Sequence, residues 1–118
     1  MIYNLTAADV AAYATKRALW HESKKELKKA EDEFNHAISK ATCALKDPEN
    51  QDGNILFKTY FEYGAFLYRS RRFVDAHIAF LNAEQNHKQH SDASGDIRQE
   101  ICRMEAEIHS VVKYYFSV

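Results

Sequence analysis

The chain has 118 residues, which fits a single domain that is large enough to bury a substantial core. Its formal net charge of −1 provides no bulk attraction to nucleic acid, and three Gly with one Pro favour a few long helices over many strands. The N-terminal residues lack the pattern of a signal peptide, and no apolar run is long enough to span a membrane. Two cysteines without framework spacing indicate free thiols, so we expect a cytoplasmic protein.

The first helical region covers residues 6–45. Thr6 and Asp9 have the spacing of a capping box ahead of an alanine-rich run. Beyond this cap, apolar side chains recur every seven residues and predict one buried stripe: Tyr13, Trp20, Leu27, Phe34 and Ala41. The region forms either one long helix or two helices, which break near Ser23 or near residues 31–33, and the sequence leaves this choice open.

Residues 46–54 form the clearest loop, in which Pro48 stops one helix and Asn54 can cap the next. The following helix, from about residue 55 to residue 70, is apolar on nearly every side, so we expect it to be the central helix. Its aromatic residues are Phe57, Tyr60, Phe61, Tyr63, Phe66 and Tyr68. Gly64 in its middle indicates that another helix crosses at very short distance.

Two further helices are predicted after a tight turn at residues 69–72. One runs from Phe73 to about His87, and a polar loop at residues 89–95 follows it. The other covers residues 96–116 and presents a narrow apolar seam with residues spaced four, three, four, three and four apart. The seam consists of Ile97, Ile101, Met104, Ile108, Val111 and Tyr115.

A residue pattern recurs between residues 34–48 and residues 73–88, at an offset of thirty-nine residues. Phe34, Ala37, Ala41 and Ala44 in the first segment match Phe73, Ala76, Phe80 and Ala83 in the second. With Tyr60, Tyr63, Gly64 and Leu67 ahead of it, the second segment resembles the tetratricopeptide repeat, a helix–turn–helix unit of about 34 residues. The resemblance covers one good repeat at about 57–88 and one degenerate repeat at about 18–48. It implies an all-α, single-domain stack of antiparallel helical hairpins over residues 1–118, with a C-terminal capping helix.

The resemblance also implies a function, because one face of each first helix in that family lines a concave groove that holds a peptide. The matching positions here are Lys58, Phe61, Glu62, Ala65, Tyr68 and Arg69. We therefore expect a non-enzymatic scaffold, or a small chaperone or adaptor, that holds a helical or peptide segment of a partner protein. The alternative for Phe61 and Tyr68 is that they are core residues.

Two other functions are open from the residues alone. A nucleic-acid-binding regulator would use two basic clusters: Arg69, Arg71 and Arg72, and Lys24, Lys25, Lys28 and Lys29. A homodimeric module would use the last helix, whose candidate interface residues are Ile101, Ile108, Val112, Tyr114, Tyr115 and Phe116. We expect no cofactor and no metal site, because His87 and His90 are more typical of a solvated helix end than of a metal pair.

Overall fold

A computed structural model describes residues 5–48, 53–86 and 95–116 of the chain. Five helices account for most of these residues, and the described part of the chain contains no strand, so the all-α prediction is confirmed. The helices are α1 (Ala7–Ser23), α2 (Leu27–Ala44), α3 (Asn54–Arg69), α4 (Phe73–Asn86) and α5 (Gly95–Phe116). The N-terminal region is therefore two helices, and the break lies at the position near Ser23. Of the predicted loop at residues 89–95, only residue 95 is described. The pair His87 and His90 lies outside the described residues.

The helix starts follow the sequence signals in one case and not in another. At α1 the Thr6 side chain accepts a hydrogen bond from the Asp9 backbone N–H at 3.1 Å, and the Asp9 carboxylate accepts one from the Thr6 N–H at 3.2 Å. The predicted capping box is thus confirmed. At α3 the predicted cap is wrong, because the N-cap is Gly53, in a left-handed conformation with φ of 77°, and Asn54 is already helical. Gly53 is buried at this turn, where an L-residue would be strained.

The turns after α1 and α3 have the same backbone geometry. Lys25 and Arg71 both adopt a left-handed conformation, with φ of 62° and 67°. After α1 the N–H groups of Lys25 and Glu26 donate to the carbonyls of Glu22 and His21 at 2.9 Å. After α3 the N–H groups of Arg71 and Arg72 donate to the carbonyls of Tyr68 and Leu67, at 3.0 Å and 2.9 Å. Both ends are Schellman motifs, which satisfy the last carbonyls of a helix even though neither has the usual Gly.

These two turns place the internal repeat at an offset of 46 residues, from Lys25 to Arg71, rather than at the predicted thirty-nine. At this offset buried residues of matching size coincide: Ala18 with Gly64, Ala30 with Ala76, Phe34 with Phe80, and Ala37 with Ala83. The first hairpin therefore comprises the whole of α1 and α2, and it begins at residue 7 rather than near 18. The two offsets differ by seven residues, and both match small residues because α2 has a buried alanine every seven positions, at Ala30, Ala37 and Ala44.

The N-terminal half of the predicted apolar stripe, from Tyr13 in α1 to Leu27 at the start of α2, is wrong. Tyr13, Trp20 and Leu27 are 62%, 57% and 48% exposed, whereas the smaller Ala11, Ala14 and Ala18 of α1 are buried. Small residues line the inner face of α1 because it packs closely along α2, and large side chains would hold the two helices apart. Phe34 and Ala41, in α2, are buried as predicted.

Helix α3 is central, as its all-round apolar character predicts, since it contacts each of the other four helices. The largest fully buried side chains come from α2, α3 and α4: Phe34, Phe57, Phe66, Leu67 and Phe80. The rings of Phe34 and Phe66 lie 5.1 Å apart between centroids, in the tilted arrangement that aromatic pairs favour. One continuous core thus joins the two hairpins.

At Gly64 the Phe80 side chain of α4 packs directly on the α3 backbone. A Cβ atom added to Gly64 would lie 2.5 Å from Cε1 and 2.7 Å from Cδ1 of the buried Phe80 ring. We expect Gly64→Ala to lower the free energy of unfolding by about 1–2 kcal/mol, because overpacking outweighs the gain of about 1 kcal/mol in helix propensity. Denaturant unfolding of both proteins measures this difference.

The matched control for this substitution is Gly95→Ala. Gly95 is exposed at the start of α5, and a Cβ atom there would have no neighbour within 4 Å. Its replacement should change stability by less than about 0.5 kcal/mol. A Gly64→Ala variant as stable as the wild type would contradict the close approach of the two helices.

The middle of helix α5 packs against the core, whereas side chains near its C-terminal end are more exposed. Ile101, Met104 and Ile108 are buried against the cluster that includes α3 and α4. Ile101 and Ile108, named above as interface candidates, therefore belong to the core of their own chain. Val112 is half-buried and Tyr114 is 78% exposed. Tyr115 and Phe116 lie in α5, but their side chains are outside the described part of the structure.

Candidate functional site

A groove of about 510 Å³ runs between α1 and α3, the first helices of the two hairpins. Its lining comprises Ala8, Asp9, Ala12, Thr15, Lys16 and Leu19 from α1, and Ile55, Lys58, Thr59 and Glu62 from α3. On the α1 side, Ala8 and Ala12 are small and leave space in the groove. Leu19 and Ile55 supply larger apolar surface. Two cationic and two anionic side chains accompany this apolar lining, so the groove suits an amphipathic ligand with charges of both signs.

Glu62 is the most desolvated charged group in this groove. Burial raises the pKa of the Glu62 carboxyl, the Arg69 guanidinium opposes this shift, and the Glu22 carboxylate adds to it. The ionised form of Glu62 is thus disfavoured relative to that of a fully solvated carboxyl. A cation of a bound segment would find a partly desolvated carboxylate here, and such pairs interact more strongly than fully solvated ones.

The six predicted partner-binding residues lie in four different environments. Lys58 and Glu62 line the groove, whereas Ala65 is buried in the core at 4% exposure. Phe61 and Tyr68 are half-buried and pack against the core. Arg69 joins α3 to α1, because its Nε and Nη2 atoms donate to the two carboxylate oxygens of Glu22 at 2.8 Å and 2.7 Å.

Tyr68 also bridges two helices, since its hydroxyl donates a hydrogen bond to Glu107 of α5. Groove and core are therefore both represented among the six residues, and the sequence alone did not separate them. The α1 side of the groove was missed, because the first repeat was placed seven residues too late. The signal that would have found it is the alanine spacing of Ala11, Ala14 and Ala18, which marks the inner face of α1.

A cluster of polar side chains connects α2 with α3 and with the turn between α3 and α4. The Tyr63 hydroxyl donates to Glu31 at 3.0 Å, and Arg72 donates to the same Glu31 carboxylate at 2.5 Å and to Asp75 at 3.0 Å. Burial, together with the hydrogen bond to Glu31, raises the pKa of Tyr63 to about 12. The neutral phenol is thus the form that fits the folded state.

We expect the Tyr63 interaction to stabilise the fold below about pH 10 and to be lost as the pH rises towards about 12. The sign follows because the folded state binds this proton more tightly than the unfolded chain, so deprotonation favours unfolding. Denaturant unfolding at about pH 9 and about pH 11.5 should show a smaller alkaline loss for Tyr63→Phe than for wild type. The exposed Tyr13→Phe variant is the control, and a wild-type-like loss in Tyr63→Phe would contradict the assignment.

The two basic clusters are largely occupied by contacts within the chain. Arg69 and Arg72 are bound as described, and Lys28 and Lys29 lie 3.0 Å from carboxylate oxygens of Asp32 and Glu26. Of the other cations, Lys24 lies over the Trp20 ring at 5.7 Å and Arg71 over the Phe73 ring at 5.9 Å. These contacts are typical of a salt-bridged solvent face rather than of a phosphate-binding surface.

An apolar groove of about 870 Å³ lies between the start of α4 and the end of α5. It is lined by Arg71, Phe73, Val74, Ser110, Val111, Val112 and Tyr114. Val74 and Tyr114 are 58% and 78% exposed. Val112 and Tyr114, two of the candidate interface residues of the last helix, therefore line this groove.

One group of side chains among the described residues has the composition and spacing to hold a metal ion. It consists of His77 from α4 with Glu105 and His109 from α5. The sequence gives no local signal for this group, because His77 lies on α4 and the other two donors lie on α5. In the described ranges, no helix is both long enough and apolar enough to cross a membrane.

The chain was compared with protein-family models, curated proteins and solved structures. None of the three comparisons finds a match.

Proposed function

We propose that this protein is a non-enzymatic interaction module that holds a helical or peptide segment of a partner protein in the groove between α1 and α3. The observation that carries the proposal is the position of this groove between the first helices of two equivalent hairpins. Stacked helical hairpins of the tetratricopeptide type present their first helices on one shared face. The 46-residue correspondence supports a hairpin stack of this kind, with α5 as the cap.

The size and chemistry of the groove support a segment of protein as the ligand. A volume of about 510 Å³ accommodates a few side chains and is open along the helices. The apolar surface of Leu19 and Ile55 would take the apolar side of the segment. Lys16 and Lys58 would then pair with acidic side chains of the partner, and Asp9 and Glu62 with basic ones.

The proposal is tested by filling the groove without disturbing the core. Ala12 lines the groove and is exposed, so Ala12→Arg should leave the fold intact while its side chain occupies the apolar lining. Partners captured from the native host by wild-type protein should be lost or bound at least tenfold more weakly by this variant. Isothermal titration calorimetry with the captured protein, or with its binding segment, measures the change.

The matched control is Ala106→Arg, an identical substitution at an exposed position of α5 outside the groove. It should bind like wild type, and circular dichroism should show that both variants keep their helical content and melting temperature. A partner that binds Ala12→Arg as tightly as it binds the control would refute the groove as the binding surface.

Self-association is a second candidate function, and the apolar groove between α4 and α5 favours it. Exposed apolar patches of this kind often mark protein contacts. A dimer built here should dissociate when the exposed Val74 and Tyr114 are both replaced by Asp. Multi-angle light scattering of wild type and of this double variant measures the mass, and a wild-type monomer at high concentration would refute the homodimer.

A further inference from the structure

We propose that His77, Glu105 and His109 form a binding site for one divalent transition-metal ion, of which zinc is the best fit. His77 lies on α4, and Glu105 and His109 lie four residues apart on α5, which places them on one face of that helix. Two imidazole nitrogens and one carboxylate oxygen are a donor set that zinc uses when it keeps one position open for water.

The distances require only small side-chain movements to bind an ion. The His77 Nδ1 atom lies 2.7 Å from Oε2 and 2.9 Å from Oε1 of Glu105. The His109 Nε2 atom lies 3.5 Å from Oε2 of Glu105, and one donor atom from each residue lies within 4.8 Å of the others. Donors around a tetrahedral zinc ion are about 3.3–3.6 Å apart, as follows from metal–ligand bonds of about 2.0–2.2 Å.

The exposure of the three residues suits a metal site at the protein surface, with one donor fixed by packing and another open to solvent. The Glu105 side chain is only 18% exposed, so the packing of α4 against α5 restricts its position, whereas His109 is 73% exposed and leaves the site open to an entering ion. The two imidazole rings meet edge to face with centroids 5.6 Å apart and an interplanar angle of 73°. This arrangement keeps both rings next to the same carboxylate.

The donor types decide which ions the site selects. Imidazole suits zinc, copper, nickel and iron, whereas magnesium and calcium require oxygen ligands in larger number. Because its donors come from two helices, a bound ion would join α5 to α4 and would stabilise the folded state by mass action. The site is separate from the groove between α1 and α3, so the inference does not depend on the proposed function.

The experiment measures binding of zinc alone to the 118-residue chain by isothermal titration calorimetry, and measures thermal unfolding with zinc and with a chelator. We expect one zinc ion per chain and a higher melting temperature with zinc, and no such increase with magnesium. His109→Ala and Glu105→Gln should each weaken zinc binding at least tenfold. His109 is exposed, so its replacement should leave the melting temperature in chelator close to that of wild type.

Three controls remove other donors in turn. His36→Ala changes an exposed histidine on α2. Cys43→Ser with Cys102→Ser removes both exposed thiols. His87→Ala with His90→Ala removes the two histidines that lie three residues apart in the sequence. Each of these should bind zinc like wild type. The proposal is overturned by absence of zinc binding in wild type, by undiminished binding in His109→Ala, or by loss of binding in any of the three controls.

Discussion

Phe34→Ala and Phe80→Ala should each lower the free energy of unfolding by about 3–5 kcal/mol, the usual cost of removing a buried phenylalanine ring. Both rings are at most 1% exposed, and the two residues are equivalent in the two hairpins. Phe34 lies 5.1 Å from Phe66 between ring centroids, and Phe80 packs on Gly64. A loss of this size is a large part of the total stability of a small domain. Denaturant unfolding monitored by circular dichroism measures it.

The control for this prediction is Tyr13→Ala, at a residue that shares the seven-residue stripe of the sequence with Phe34. Tyr13 is 62% exposed, so we expect its removal to change stability by about 0.5 kcal/mol or less. The stripe alone would make the two substitutions equally damaging. Similar losses for Tyr13→Ala and Phe34→Ala would therefore contradict the burial pattern of α1.

The second large effect is expected for Ile108→Glu. Ile108 is 2% exposed where α5 contacts the core. The substitution removes a buried apolar side chain and places a carboxylate among apolar residues. We expect a loss of about 4 kcal/mol or more, which detaches α5 or unfolds the chain. Circular dichroism and thermal unfolding should show reduced helical content and a lower melting temperature.

Ala106→Glu provides the matched control, because Ala106 is exposed two residues earlier on the same helix. It should remain folded with a melting temperature close to that of wild type. A different result would have followed if Ile108 contacted a second copy of the chain: Ile108→Glu would then be a folded, soluble monomer. That outcome would contradict the placement of α5 in the core.

Several features of the fold were predictable from the sequence because they depend on local chemistry. The capping box at Thr6 is set by residues within one turn of helix. The break near Ser23, in contrast, was one of the alternatives that the sequence left open, and the structure decided it. The central place of α3 follows from its aromatic residues on every side, which no single neighbouring helix could cover. The need for a small residue at Gly64 follows from the same crowding, and the Phe80 ring lies where its Cβ atom would be.

The sequence by itself determined an all-α chain with a central aromatic helix, the small residues at its closest contact, and an amphipathic last helix. Only the tertiary structure decided which face of α1 is buried, which register relates the two hairpins, and which residues share a groove or the cluster of His77, Glu105 and His109. The physical reason is that helical periodicity repeats nearly every seven residues, so a slip by that length keeps the local pattern. The contacts between helices, which are distant along the chain, remove this ambiguity.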